Sequence, residues 1–228
     1  QTCALPIYEL TSAIGIAGDG ASSLSAYRNS PGQAGIEVKP FHVGRAVQAG
    51  ITAAFLGRDG LRGPPNILED KNGFCRAFSQ EPRPELILQK LGERFEIMES
   101  GFKRHAATGG LLTSIDAALW LREEHKLEPG SIDRVRVLQP KWHLDRRGPK
   151  TYPDSIGASR PNGAYVVAAA LVDGEVTHRQ HTAEKLADPR IVDLVNRLEF
   201  DTASEIEEIF EATKSDPQFF VDRKSTRL

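Results

Sequence analysis

Apolar positions recur at helical spacing along the first part of the chain. Leu10, Ala13, Ile14, Ile16 and Ala17 make a short apolar helix that stops at Gly18-Asp19-Gly20. Val43, Ala46, Val47, Ile51, Ala54 and Phe55 predict a longer helix, with Lys39 to Gly44 at its mouth and Asp59-Gly60 at its end. Pro64-Pro65 restarts the chain into a helical turn around Ile67-Leu68, and Gly73-Phe74 opens another. Pro84-Glu85 then begins a further helix through Leu86, Leu88 and Leu91, with proline at the favoured first-turn position.

The pattern changes near Gly92. Phe95 to Glu99 alternates apolar and polar residues, as does Arg134 to Val137, and both predict strands. Between them Leu112, Ile115, Ala118, Leu119 and Arg122 mark a helix ending before Pro129-Gly130. Lys141 to Asn162 is polar and rich in Arg, Pro and Gly, an irregular excursion with Trp142, His143, Arg146 and Arg147 on an exposed loop. Tyr165 to Val172 is an apolar run closed by Asp173-Gly174. Its three consecutive alanines favour helix, while Val166 and Val167 leave a strand open. Asp188-Pro189 caps a helix carrying Ile191, Leu194, Val195 and Leu198, and Thr202 with Glu205 forms a capping box ahead of Ile206, Ile209 and Phe210.

These elements describe an α+β chain: a mostly helical portion over residues 1–92, a small α/β unit over 93–200 and a helical C-terminal segment with its tail over 201–228. Bulk composition narrows the picture little. The 228 residues are 39% hydrophobic and 26% charged, as in ordinary globular proteins. A net charge of −2 gives no electrostatic case for nucleic acid or an anionic membrane. No apolar run approaches the roughly 20 residues that span a bilayer, and the first residues lack the charge and apolar core of a signal peptide. Two distant cysteines, Cys3 and Cys75, point to a reducing compartment, and the expected location is the cytoplasm.

Candidate chemistry concentrates in two places. Lys39 and His42 stand where a helix entrance would offer unpaired N–H groups, a cradle for carboxylate or phosphate. The residues alone favour the plainer reading, a solvated lysine and a histidine satisfied by a carbonyl. Phe102-Lys103-Arg104-His105 precedes Gly109-Gly110 and the helix containing Asp116, again suited to anion capture or proton movement. Its plain alternative is an edge strand guarded by charge. His178 and His181 have the spacing of half a metal site, but no carboxylate or thiol cluster completes one, so no metal is expected. Glu69 and Asp70 are adjacent and point apart on a helix. Neither a Walker sequence nor a G-x-S-x-G elbow occurs.

Several of these segments together resemble the MmgE/PrpD family, which includes 2-methylcitrate dehydratase and cis-aconitate decarboxylase. Ala13-Ile14-Gly15-Ile16-Ala17-Gly18 followed by Ala21-Ser22 is similar to the family's A-L-G-I-A-G-S-x-A-S-G stretch. Lys39 to Ala46, then Gly50 to Leu56, resembles its K-x-x-H-x-G-x-A-x-x-x-G-x-x-A-A-x-L signature, and Gly60-Leu61-Arg62-Gly63-Pro64 its G-x-x-G-P continuation. Lys103 matches the Lys of F-K-x-(Y/H)-A-x-C-G-G-x-H, with Ile115-Asp116-Ala117-Ala118 in step, and Tyr165 to Gly174 resembles Y-V-V-A-x-A-L-L-D-G. Thr108 and Leu112 depart from it, standing where the family often has Cys and His.

The resemblance implies a helical domain joined to an α/β lid, a homodimer, and an active site in the cleft between the domains. It implies cofactor-free lyase chemistry on small di- or tricarboxylates, foremost 2-methylcitrate dehydration in propionate metabolism. Decarboxylation, epimerisation or a silent dimerisation role are the alternatives. Lys39, His42, Lys103 and Tyr165 would be the catalytic groups, with Lys39, Lys103 and His105 binding substrate. Fixed cations suit such a reaction because negative charge develops beside a carboxylate. Family members are much longer, so the sequence is expected to be a C-terminal-side fragment, with Gln1 to Ile7 and Asp222 to Leu228 outside the resemblance.

Overall fold

The computed structural model describes residues 5–22, 34–141, 144 and 152–213. The chain divides into two compact units, Gln1–Glu96 and Ile97–Leu228.

In the first unit α1 (Ile7–Asp19) packs against α2 (Ala34–Arg58). They meet along small residues. A Cβ at Gly57 would lie 2.7 Å from the Glu9 carbonyl oxygen and 3.3 Å from the Ala13 side chain. Ala53 is buried beside it. The segment around Gly63-Pro64 also meets α1: a Cβ at Gly15 would sit 2.5 Å from the Pro64 carbonyl oxygen and 2.8 Å from Gly63 backbone. Close backbone approach thus accounts for glycine at positions 15 and 57.

The apolar repeat on α2 does not face this contact. Val43 is 72% exposed, and Val47, Ile51 and Phe55 are each more than half exposed. The helix itself begins nine residues before Val43. Beyond it, turns over 65–72 replace the expected helical turn at Ile67-Leu68, and α3 (Phe74–Phe78) opens after Gly73 as expected. The helix expected through Leu91 is instead a short 3-10 turn, Pro84–Leu88, after which Lys90 (φ 56°) and Gly92 (φ 85°) bend the chain away. The strand expected at Phe95 to Glu99 is also a 3-10 turn, Glu96–Glu99, with Ile97 and Met98 exposed. Alternation makes a strand only where a ladder partner exists, and the ladder among the described residues lies elsewhere.

The second unit runs through a Gly109–Leu111 3-10 turn into α4 (Leu112–His125), then β1 (Val135–Leu138), α5 (Ile156–Ser159), α6 (Gly163–Asp173), α7 (Ala183–Leu186), α8 (Pro189–Asn196), β2 (Leu198–Asp201) and α9 (Ser204–Thr213). Its centre is α6, buried at every residue from Gly163 to Val172. A helix apolar on all sides must be surrounded. Leu111, Ile115 and Ala118 cover it from the α4 side, Ile191 and Leu194 from α8, with Val176 and Leu198 completing the cluster. The apolar run beginning at Tyr165 is therefore helix and not strand. Asn162 caps it by accepting the Tyr165 N–H at 2.9 Å. Gly174, at φ 76°, ends it with an N–H donated to the Ala170 carbonyl, and Arg122 donates Nε–H to the Leu171 carbonyl at 3.0 Å.

β1 and β2 pair in parallel with Val135 opposite Leu198 and Leu138 opposite Asp201. Helical spacing placed Leu198 on α8, but that helix stops at Asn196 and Leu198 begins the strand. The expected Asp188 cap is present, its carboxylate accepting the Arg190 N–H at 3.0 Å. The expected Thr202–Glu205 capping box is not: the Thr202 hydroxyl donates to Glu207 at 2.7 Å. Cys3, Trp142, His143, Arg146, Arg147 and Asp222 to Leu228 lie outside the described residues. The architecture is α+β, mostly helical with a small parallel sheet. No helix among the described residues is long and apolar enough to cross a membrane.

Candidate active site

Lys39 and His42 belong to α2 in the first unit, three residues apart and so on one helix face. Lys39 is exposed and His42 half-buried. Both lie beyond the first turn, where the helix uses its own N–H groups, so the helix-entrance cradle expected here is not formed. What remains of that reading is two side chains, not a backbone anion site.

The second unit carries the better-defined group. Residues 102–108 form a loop leading through the glycine-rich turn into α4, whose N-terminus no side chain caps. The loop is held by backbone bonds at two points, Ala106 N–H to the Val176 carbonyl at 3.0 Å and Thr108 N–H to the Arg160 carbonyl at 3.2 Å. Lys103 is exposed, its Nζ donating weakly to the Ala107 carbonyl at 3.4 Å. His105 turns inward, with Nε2 2.9 Å from Asp116 Oδ1, and the two side chains are only 10% and 12% exposed. Arg104 Nη1 approaches the same oxygen at 3.6 Å from a largely exposed position.

Tyr165 belongs to the core of the second unit. It is fully buried in α6 and donates its hydroxyl to the Gln180 carbonyl. Burial, with Tyr152, Asp173 and Asp188 nearby, pushes its hydroxyl far above the ordinary tyrosine range, so it stays a donor. The Tyr152 ring meets it edge-on at 6.0 Å. Leu112 packs half-buried against the core, and Thr108 is exposed.

Two features were not found from sequence. One is Asp116 as the partner of His105, because a separation of 11 residues follows neither helical nor strand period. The other is His181, which spacing coupled to His178. His178 is exposed, whereas His181 is buried with Nδ1 2.7 Å from Ser159 Oγ. Ser159 gives its one proton to the Ile156 carbonyl at 2.8 Å, so His181 Nδ1–H is the donor in this pair. Burial pushes the His181 pKa down, the Ala106 backbone opposes this, and Arg160 adds to it.

Comparison with known sequences decides the family. Residues 3–87 match the MmgE/PrpD N-terminal domain, and residues 105–228 match the MmgE/PrpD C-terminal domain. The chain belongs to the MmgE/PrpD family. Similar curated proteins include the cis-aconitate decarboxylase of Mus musculus, 29% identical over 181 residues, covering 74% of this chain and 35% of the relative. The human cis-aconitate decarboxylase is 28% identical over 175 residues, 74% and 36% of the two chains. The cis-aconitate decarboxylase-like protein oryM of Aspergillus oryzae is 26% identical over 167 residues, 67% and 34%. This MmgE/PrpD chain thus spans about a third of the length of these relatives.

Proposed function

We propose that this chain serves a lyase acting on a small di- or tricarboxylate, with decarboxylation of a cis-aconitate-like acid as the leading reaction. The observation that carries the reading is the 102–108 loop: an exposed Lys103 and an inward His105 on backbone pinned at two points, in a chain whose relatives are named as cis-aconitate decarboxylases. Loss of CO2 beside a second carboxylate leaves an electron pair on carbon. A cation holding the remaining carboxylate stabilises that charge more as it develops than in the ground state. Lys103 and His105 are the proposed carboxylate-holding and proton-moving groups, and a carboxylate-holding role for Lys39 and His42 is proposed from the family motif they stand in. Tyr165 acts by positioning the chain around Gln180 and His181 through its hydroxyl. Dehydration of 2-methylcitrate begins from the same kind of intermediate, and the assay below separates it by product.

A silent binding or homodimerisation role is the second reading. Its support is Leu112, packed against the core where many family members present a histidine, and the occupied hydroxyl of Tyr165. Supplying cis-aconitate or 2-methylcitrate to the chain and following CO2 and unsaturated product tests both readings. Calorimetry then compares Lys103→Ala and Lys39→Ala with the wild type. Losing a charged hydrogen bond of about 1.5–3 kcal/mol weakens binding roughly 10- to 150-fold. Absent turnover, with binding unchanged in both variants, sinks the lyase reading. A dimer by light scattering without turnover supports the silent one.

A further inference from the structure

We propose that His105 and Asp116 form a proton-transfer dyad, with Asp116 the positioning carboxylate and His105 Nδ1 the nitrogen that exchanges a proton with bound substrate. The proposal rests on the lyase reading and adds to it a named proton route. A carboxylate can only accept, so the 2.9 Å contact means that Nε2 carries the proton it donates to Asp116. That fixes the neutral tautomer and leaves the lone pair on Nδ1. No hydrogen bond from Nδ1 is found among the described residues. Nor is Nδ1 one of their buried polar atoms without a partner, which are Gln139 Oε1 and His181 Nε2. Nδ1 therefore keeps some accessible surface, on a side chain that is 10% exposed. One nitrogen tied to a shielded carboxylate, with the other left open, is the arrangement a general acid or base requires.

The surroundings reinforce the assignment. Asp116 is in the second turn of α4, so its position is set by a helix whose adjoining Ile115 is fully buried. The neighbouring backbone of His105 is pinned through Ala106 to Val176. Both partners are thereby placed by rigid structure, and Lys103 stands two residues away on the same loop. Arg104 touches Asp116 from solvent, where screening weakens it, so His105 makes the shorter and better shielded contact with this carboxylate.

In the decarboxylation step the bond between the substrate carbon and its departing carboxylate breaks, CO2 leaves, and the electron pair stays on carbon. His105 Nδ1, whose lone pair is free in the resting ring, takes up a proton from solvent and delivers it to that carbon, which returns the ring to its neutral form, while Nε2–H stays hydrogen-bonded to Asp116 throughout.

Long-range proton–nitrogen NMR of the 15N-labelled chain reads both nitrogens directly. The wild type is expected to show a single neutral tautomer protonated at Nε2, and Asp116→Asn to lose that single form. Cis-aconitate is then titrated while the His105 ring and the Lys103 ammonium are followed. A response at Nδ1 together with Lys103, absent in Asp116→Asn, supports the dyad. A mixed tautomer in the wild type, or one unchanged in Asp116→Asn, overturns it whatever the ligand does. A response at Lys103 with none at Nδ1 also overturns it, leaving the lyase reading in place. Silence at both groups, with the tautomer fixed, instead fails the lyase reading, and the dyad's role toward substrate falls with it.

Discussion

Tyr165 shows how one side chain can look catalytic in a sequence motif and be occupied by the fold. Its hydroxyl serves the Gln180 carbonyl inside a core where neither group meets water, and its ring is packed by Tyr152. Removing the hydroxyl leaves a buried carbonyl without its donor, at a cost of about 1–3 kcal/mol. Tyr165→Phe is therefore expected to lower the unfolding free energy by that amount in a urea titration while leaving cis-aconitate affinity unchanged. A variant of native stability that has lost its affinity would return Tyr165 to the substrate's side. His105 is the contrasting residue, since the same kind of sequence signal led to a side chain with one nitrogen still open.

Among elements, α1 shows most clearly what a motif glycine does. Gly15 faces Pro64 and Gly63 backbone at distances no Cβ tolerates, and backbone cannot move aside as a flexible side chain could. Gly15→Ala should cost about 1–3 kcal/mol by overpacking and lower the melting temperature of the first unit, whereas Gly44→Ala, with open space around it, should not. Helices signalled by caps and apolar repeats were legible: α1 ends at Gly18-Asp19-Gly20, α8 begins at Asp188-Pro189, and α6 follows its alanine run. Elements whose limits depend on distant partners were not. The start of α2 at Ala34 was hidden because the apolar row that signals the helix begins only at Val43. β2 was hidden inside a helical repeat because only pairing with β1 defines it. At the site, Lys103 and His105 could be named from sequence as candidates, but Asp116 could not, since the contact that gives it a role is tertiary.

At the scale of the molecule, two buried or paired groups tie the second unit to pH in the same direction. His181 is held below its ordinary value of 6.5, chiefly by burial. The unfolded chain then binds its proton first, so this contribution is complete above 6.5 and is lost as pH falls from there through the lowered folded value. Asp188 is held at about 2 against an ordinary 3.8, first by its hydrogen bond to Arg190 and, against the cost of burial, by the Arg190 N–H and Lys185. Its contribution is present above 3.8 and lost as pH falls toward about 2. Denaturant titrations should show stability falling as pH drops below 6.5, with His181→Gln flattening that limb and leaving the more acidic one. A limb that persists in the variant would assign it to another group.

The parallel pairing of β1 with β2 has a kinetic consequence. The Arg134–Glu199 and Arg136–Asp201 bridges that flank it join residues 65 positions apart, as does the Arg197 bond to the Ile132 carbonyl. Closing so long a loop loses chain entropy before any contact compensates it, whereas α4 and α6 can begin to form from local contacts. The sheet is thus placed late on the folding path, as a clasp shut after the helices have gathered. Weakening it would chiefly hasten unfolding and leave the rate of folding nearly untouched.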